Sequence, residues 1–499
     1  MKTLVEMLET VIRQNANRTA VVDQGEGVSY RALGKRIALM ARELQDFEIR
    51  KGDRVALLVP NGLDFVVSYF AVVTLGSIVV PLNDHYQQTE LRYFIDSCGV
   101  SLLITSKDYS ELCHQVFTGA LSQCKLYLVK NHKDIFEEGL PSLADFKGEA
   151  DPDAPVMYQF SSGSTGRPKI IARTHNNLLF ELNSFIKTLS ITNESRFLGV
   201  APFSHVNGLM RSMMACMRAG ATLYTLPKFE RRAVAEAIEK NKISIFIAVP
   251  FMFIMLVQAN FRKQPDFSSL RFCISASAPM PKKLNQEFYA KFRTYVRQLY
   301  GSTETGTISV NLDLDINESL ESVGKPMAGA EVEVFTDDGR IADVDTLGEL
   351  AVRSPATVKS YYGSDEVSEG VFREGYFFTG DLGYKNKDGL IFLVGRKKFF
   401  INKGGYKINP HEIEDLLENH PDVEEAVVIG LPTAFGDERV KAVIVPKGHL
   451  TADEIIEHCK GKVADFKIPS VIEFRDSLPK SPTGKIRRNM LMESSVTKS

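Results

Sequence analysis

Short apolar runs alternating with helically spaced stretches set the limits on what this chain can fold into. Segment 31–44 places apolar residues at helical spacing, and Arg54-Val55-Ala56-Leu57-Leu58-Val59 is an apolar run that stops at Pro60-Asn61-Gly62. The first predicts a helix, the second a strand followed by a turn. Residues 65–75 predict a buried helix and 77–80 the next strand, with further buried strands at Leu102-Leu103-Ile104-Thr105 and Leu126-Tyr127-Leu128-Val129. The rhythm returns at 196–201, 221–226, 243–249 and 270–275. Such alternation predicts α/β architecture, with parallel sheets covered by helices.

The texture changes near residue 332. Glu331-Val332-Glu333-Val334-Phe335 alternates polar and apolar, Asp337-Asp338-Gly339 offers a turn, and Gly348-Glu349-Leu350-Ala351-Val352-Arg353 alternates again. This predicts a β-rich, antiparallel or barrel-like subdomain over about 325–395. Past Gly395 the chain is short-period, basic and mixed α and β. A helix is expected over 410–418 with Pro at its first turn, strands at 423–431 and 439–446, and a helix over 451–460. The expected division is 1–397 and 398–499, with the boundary at Lys397-Lys398. A chain of 499 residues is too long for one core in any case.

Composition excludes several classes. The formal net charge is -2, so no bulk attraction draws the chain to nucleic acid or an anionic membrane. Cys98, Cys113, Cys124, Cys216, Cys273 and Cys459 form neither CxxC pairs nor zinc-ligand spacings, as expected of reduced thiols in a cytoplasmic protein. The start, Met1-Lys2-Thr3-Leu4-Val5-Glu6, lacks a signal-peptide apolar core. The longest uncharged stretch, 65–83, is broken by Gly76 and Pro81, which predicts helix, turn and strand rather than a transmembrane segment.

Four segments carry chemistry. Phe160-Ser161-Ser162-Gly163-Ser164-Thr165-Gly166-Arg167-Pro168-Lys169 lets backbone N–H groups and hydroxyls approach phosphate oxygens, with Lys169 as counter-charge. It fits neither the GxxxxGK[ST] phosphate loop nor the GxSxG nucleophile elbow. Tyr300-Gly301-Ser302-Thr303-Glu304-Thr305-Gly306 offers a ring for a base, a hydroxyl for a phosphate and a carboxylate for Mg²⁺. Thr379-Gly380-Asp381, followed by Gly395-Arg396, offers an acid for ribose hydroxyls and a guanidinium beside it. Pro482-Thr483-Gly484-Lys485 presents a lysine on a rigid turn.

In this order and spacing the four segments, with Pro202-Phe203-Ser204-His205-Val206-Asn207-Gly208 and Ser275-Ala276-Ser277-Ala278-Pro279, resemble the adenylate-forming superfamily over essentially the whole chain. That superfamily holds acyl-CoA synthetases, peptide-synthetase adenylation domains and luciferases. The resemblance implies a large N-terminal domain of two αβ-layered subdomains plus a small β-barrel, then a smaller mobile α+β C-terminal domain. It implies two steps, in which a carboxylate displaces pyrophosphate from ATP and a thiol then displaces AMP.

By the same resemblance, Ser161, Ser162, Gly163, Ser164, Thr165, Gly166 and Lys169 hold the β- and γ-phosphates, Thr303 the α-phosphate and Glu304 Mg²⁺. Tyr300 and Gly301 lie at the adenine, with Ala276 and Ser277 along its edge; Asp381 takes the ribose and Arg396 lies nearby. His205 gates the acyl pocket rather than serving as general base. Lys485 contacts the carboxylate and α-phosphate, Lys398 is the hinge, and Gly404 and Gly405 leave room for the pantetheine arm of CoA.

Amino-acid-activating relatives carry an acid just after the Pro-Phe position, and Ser204-His205-Val206-Asn207 has none. An unpaired buried ammonium costs several kcal/mol. Absence of any Trp argues against a pocket for acetate alone. A medium- or long-chain fatty acid or an aryl acid is therefore expected, with CoA as acceptor. The alternative is an acyl-AMP ligase that loads an acyl carrier protein, disfavoured by the short 381–395 segment. A catalytically dead binding protein is disfavoured because Lys485, Glu304 and Asp381 are all present, and a luciferase-like oxygenase because Asn402 replaces a hinge-strand lysine. Oligomeric state is not set by the sequence.

Overall fold

The computed structural model describes residues 1–117, 124–130, 141–146, 151–161, 169–313, 316, 319–363, 370–403, 406–433, 438–480, 486–488 and 490–492. The chain forms two compact units: Met1–Val332 with Val352–Phe377, and Glu333–Ala351 with Phe378–Ser499.

The first unit holds two sheets. One has six strands in the order Lys125–Leu128, Leu102–Thr105, Arg54–Leu58, Ile78–Pro81, Pro155–Ser161 and Lys169–Thr174. All neighbours are parallel except the last two, which form an antiparallel hairpin closed by the pair Ser161 and Lys169. The second sheet runs Phe272–Ser275, Ile245–Ala248, Arg196–Gly199, Thr222–Thr225 and Thr19–Asp23 as parallel neighbours. Thr19–Asp23 and its hairpin partner Glu26–Ser29 had no period-2 signature long enough to betray them. At the other end, Arg297–Ser302 joins Phe272–Ser275 in parallel and Gly306–Val310 in antiparallel.

Helix Leu63–Thr74 is buried on every side from Phe65 to Thr74 because it lies in the core shared by both sheets. No described helix is long and apolar enough to cross a membrane. Helix His175–Leu189 begins with a Thr174/Asn177 capping box. Its His175 Nδ1 accepts the backbone N–H of Leu4 at 3.2 Å, which pins helix Leu4–Asn15.

In the β-rich segment, strands Glu331–Phe335, Gly348–Arg353, Tyr376–Lys385 and Ile391–Arg396 are neighbours in that order. No pairing among the described residues closes this run into the expected small barrel. The C-terminal part pairs Val423–Pro432 antiparallel with Glu438–Pro446, and the latter parallel with Val471–Phe474. Helix Pro410–Glu418, capped by Asn409, and helix Ala452–Cys459, capped by Thr451, pack on it through Ile413, Leu417, Ile455 and Cys459. All six cysteines are free thiols.

Candidate active site

Segment 162–168, the expected phosphate loop, connects the paired strands Pro155–Ser161 and Lys169–Thr174 in the chain. Ser162, Gly163, Ser164, Thr165 and Gly166 lie outside the described residues, as does the side chain of Ser161. Lys169 is described. Its Nζ sits 4.3 Å from the ring centroid of Tyr361, a cation–π contact. The Tyr361 hydroxyl donates to Glu304 Oε1 at 3.1 Å. Two backbone bonds lace the same region, Val358 N–H to the Glu304 carbonyl at 2.9 Å and Tyr362 N–H to the Ile170 carbonyl at 3.0 Å. Lys169 and Glu304, far apart in sequence, are thus brought together through Tyr361, which the motif reading missed.

Residues 302–306 form a tight turn between strands, with Ser302 paired to Gly306 and Ser302 Oγ 3.0 Å from Thr305 Oγ1. Gly306 has φ +69, and a Cβ there would come within 2.4 Å of Glu181 Oε2, so only glycine fits. Behind the turn, Arg173 pairs with Glu181 at 2.8 Å with side chains 0% and 2% exposed. Arg173 also donates to the Thr303 carbonyl at 3.1 Å, and the Thr307 N–H donates to Glu181 Oε1 at 3.0 Å. This buried pair fixes the backbone that presents Thr303 and Glu304. Its sequence signal was present, a charge inside an apolar strand at Arg173.

Ala276 and Ser277 follow strand Phe272–Ser275. Ala276 is fully buried, and Ser277 is held at φ +73, a conformation that L residues rarely adopt and that clusters at functional sites. Tyr300 is buried in strand Arg297–Ser302.

His205 lies on a cleft together with Asn83, Tyr86, Phe160, Val206 and Thr303. Its segment is held from below by Asn61, which donates to the Ala201 carbonyl at 2.9 Å and accepts the Phe203 N–H at 2.8 Å. Gly208 is required because a Cβ would approach the carbonyls of Ala201 and Pro202 to 2.3 Å. Asn83 Oδ1 accepts the His85 N–H at 2.8 Å, so its amide nitrogen faces His205 Nε2 at 2.7 Å. His205 Nε2 is therefore an acceptor already engaged, and burial lowers the imidazole pKa below its ordinary value. A neutral ring with its lone pair engaged is poorly suited to abstract a proton.

In the second unit, Asp381 and Arg396 are cross-strand partners and form an ion pair, Nε to Oδ1 2.5 Å. Gly380, at φ +71, lets the chain bend so that the Asp381 N–H bonds Thr379 Oγ1 at 3.1 Å. The backbone of Lys398 lies in a short 3-10 turn, Lys397–Phe399. Gly404 and Gly405 lie between strands Ile401–Lys403 and Tyr406–Ile408, and are themselves outside the described residues, as is Lys485. Three residues past Lys485, Arg488 pairs with Glu414, which also accepts from His411. Burial would raise the Glu414 carboxyl, but those bonds outweigh it and hold its pKa below the usual range.

Residues 8–362 match the family model of AMP-binding enzymes, and residues 412–485 that of the AMP-binding enzyme C-terminal domain. The chain belongs to this adenylate-forming superfamily, in its acid–CoA ligase branch. It is 29% identical to a long-chain-fatty-acid–CoA ligase of Bacillus subtilis, covering 99% of this chain and 94% of that protein. It is 30% identical to an oxalate–CoA ligase of Arabidopsis thaliana, covering 98% of each. The structure of o-succinylbenzoate CoA synthetase from Bacillus subtilis with its acyl-adenylate superposes with a TM-score of 0.84 at 27% identity, covering 97% of each chain.

Proposed function

We propose that this enzyme activates a fatty or aryl carboxylic acid, not an amino acid, and transfers the acyl group to CoA. In the first step a carboxylate oxygen attacks the α-phosphorus of ATP, the bond to the β-phosphate oxygen breaks, and pyrophosphate leaves. In the second the CoA thiol, losing its proton, attacks the acyl carbon and AMP leaves with the bonding electrons. The observation that carries this reading is the Lys169–Tyr361–Glu304 cluster, which sets a cation and a carboxylate beside the turn that carries Thr303. Joining two anions needs such preorganised charge.

The Glu304 carboxylate is a hard oxygen donor and fits Mg²⁺, which would neutralise charge on the ATP phosphates. Lys169 supports the phosphates and Thr303 the α-phosphate, while Tyr300, Gly301, Ala276 and Ser277 form the adenine end. Asp381, oriented by Arg396, serves the ribose, and Lys485 supplies charge to the reacting oxygens. His205, held neutral by burial and bonded to Asn83, acts as a gate. Tyr86, Phe160 and Val206 line the cleft and suit an apolar or aryl body.

Mass spectrometry of mixtures containing ATP, Mg²⁺, CoA and a panel of acids tests the reading. Acyl-CoA should form with fatty or aryl acids, and hydrocinnamate should outperform phenylalanine at least a hundredfold, as a penalty of about 3 kcal/mol implies. A preference for phenylalanine would move the enzyme to the amino-acid-activating group.

A further inference from the structure

Two arginines and a single carboxylate are buried together behind the Gly301–Gly306 turn. Arg173 is neutralised by Glu181. Arg211 is only 4% exposed, yet no carboxylate lies within ion-pair distance of it among the described residues. Its Nε donates to Thr307 Oγ1 at 3.0 Å, and Thr307 in turn donates to Glu181 Oε1 at 3.1 Å. Its Nη1 is 3.5 Å from Asn207 Oδ1, a weak contact. Its Nη2 faces Gly301 so closely that a Cβ there would come within 2.6 Å. Burial lowers the guanidinium pKa to about 10, which still leaves it charged at neutral pH. Arg173, Arg211 and Glu181 taken together thus carry a net positive charge of one, with the buried Glu304 carboxylate on the turn in front of them.

An unpaired buried charge is costly, and a protein that keeps one commonly has a ligand to meet it. The position matches. Arg211 is not itself a lining residue of the His205 cleft but lies next to two segments that supply its lining, between Gly301, two residues before the cleft residue Thr303, and Asn207, two residues after the cleft residue His205. A planar guanidinium whose Nη2 makes no hydrogen bond to a described residue, and whose Nη1 has only the weak Asn207 contact, suits a carboxylate. We infer that Arg211 is a specificity residue that binds a second carboxylate at the far end of the substrate acid, so that the preferred substrates are dicarboxylic acids or aryl acids bearing a further carboxyl. This rests on the ligase reading above and narrows it. The apolar lining then serves the body of the molecule and Arg211 its end. The same charge repels an ammonium, in line with rejection of amino acids.

The test compares acyl-CoA formation from matched pairs: hexanoate with adipate, octanoate with suberate, and hydrocinnamate with 3-(4-carboxyphenyl)propanoate. The wild-type enzyme should favour the diacid in at least one pair by about tenfold or more in kcat/KM. Arg211→Met should bring that ratio to about one or below, while Arg211→Lys, which keeps the charge, should retain part of it. Wild-type preference for the monoacid in every pair overturns the inference while leaving the ligase reading intact, and this arm decides even if Arg211→Met fails to fold. An unchanged ratio in folded Arg211→Met overturns it too. Absence of acyl-CoA from every acid of both kinds overturns the ligase reading itself.

Discussion

The hydroxyl of Tyr361 donates to Oε1 of Glu304 at 3.1 Å while the ring of the same tyrosine lies 4.3 Å from the Lys169 ammonium. One side chain therefore holds both a carboxylate and a cation in place. Tyr361→Phe removes the first contact and keeps the second. A hydrogen bond to a charged group contributes roughly 1.5–3 kcal/mol, so adenylate formation should slow about tenfold to a hundredfold. Transfer from supplied acyl-adenylate to CoA should change far less. Single-turnover rates of the two half-reactions measure this, and equal losses in both would show that Tyr361 acts through general stability.

On the role proposed for Lys485, a compact charge that meets the developing negative charge, Lys485→Ala should slow adenylate formation by on the order of 10³-fold. Thioester formation from acyl-adenylate should be nearly unaffected. Comparable defects in the two half-reactions would remove Lys485 from the first step.

His175 gives a pH prediction. Burial lowers its pKa from the ordinary 6.5 to about 4. The unfolded chain then binds the proton more readily than the folded one between those values. The stabilisation is complete above pH 6.5 and is lost as pH falls through about 4, amounting to at most roughly 3 kcal/mol. Thermal unfolding at pH 7.5 and 4.5 should show a larger drop for wild type than for His175→Gln, which accepts the Leu4 N–H without titrating. Parallel pH dependence in both would mean that the ring is protonated without cost in the fold.

Much of this architecture was legible because buried parallel strands are continuous apolar runs. Arg54–Leu58, Leu102–Thr105 and Phe272–Ser275 stand where their composition put them, and Pro410–Glu418 carries its start signal in Asn409-Pro410. The strand pair Thr19–Asp23 and Glu26–Ser29 escaped because its stability comes from Thr222–Thr225, a partner about two hundred residues away. The site divides in the same way. Glu304, Asp381 and Lys169 sit in local motifs. Tyr361, Asn61, Asn83, Glu181 and Arg211 act through contacts distant in sequence, such as Asn83 with His205, so no local pattern marks them.

Acid-dependent exchange of labelled pyrophosphate into ATP tests the central claim most directly. With a competent acid and no CoA, label should enter ATP, since adenylate formation is reversible and releases pyrophosphate. On adding CoA, AMP should accumulate in step with acyl-CoA. Production of ADP and phosphate with every competent acid, with no exchange of pyrophosphate, would contradict the account.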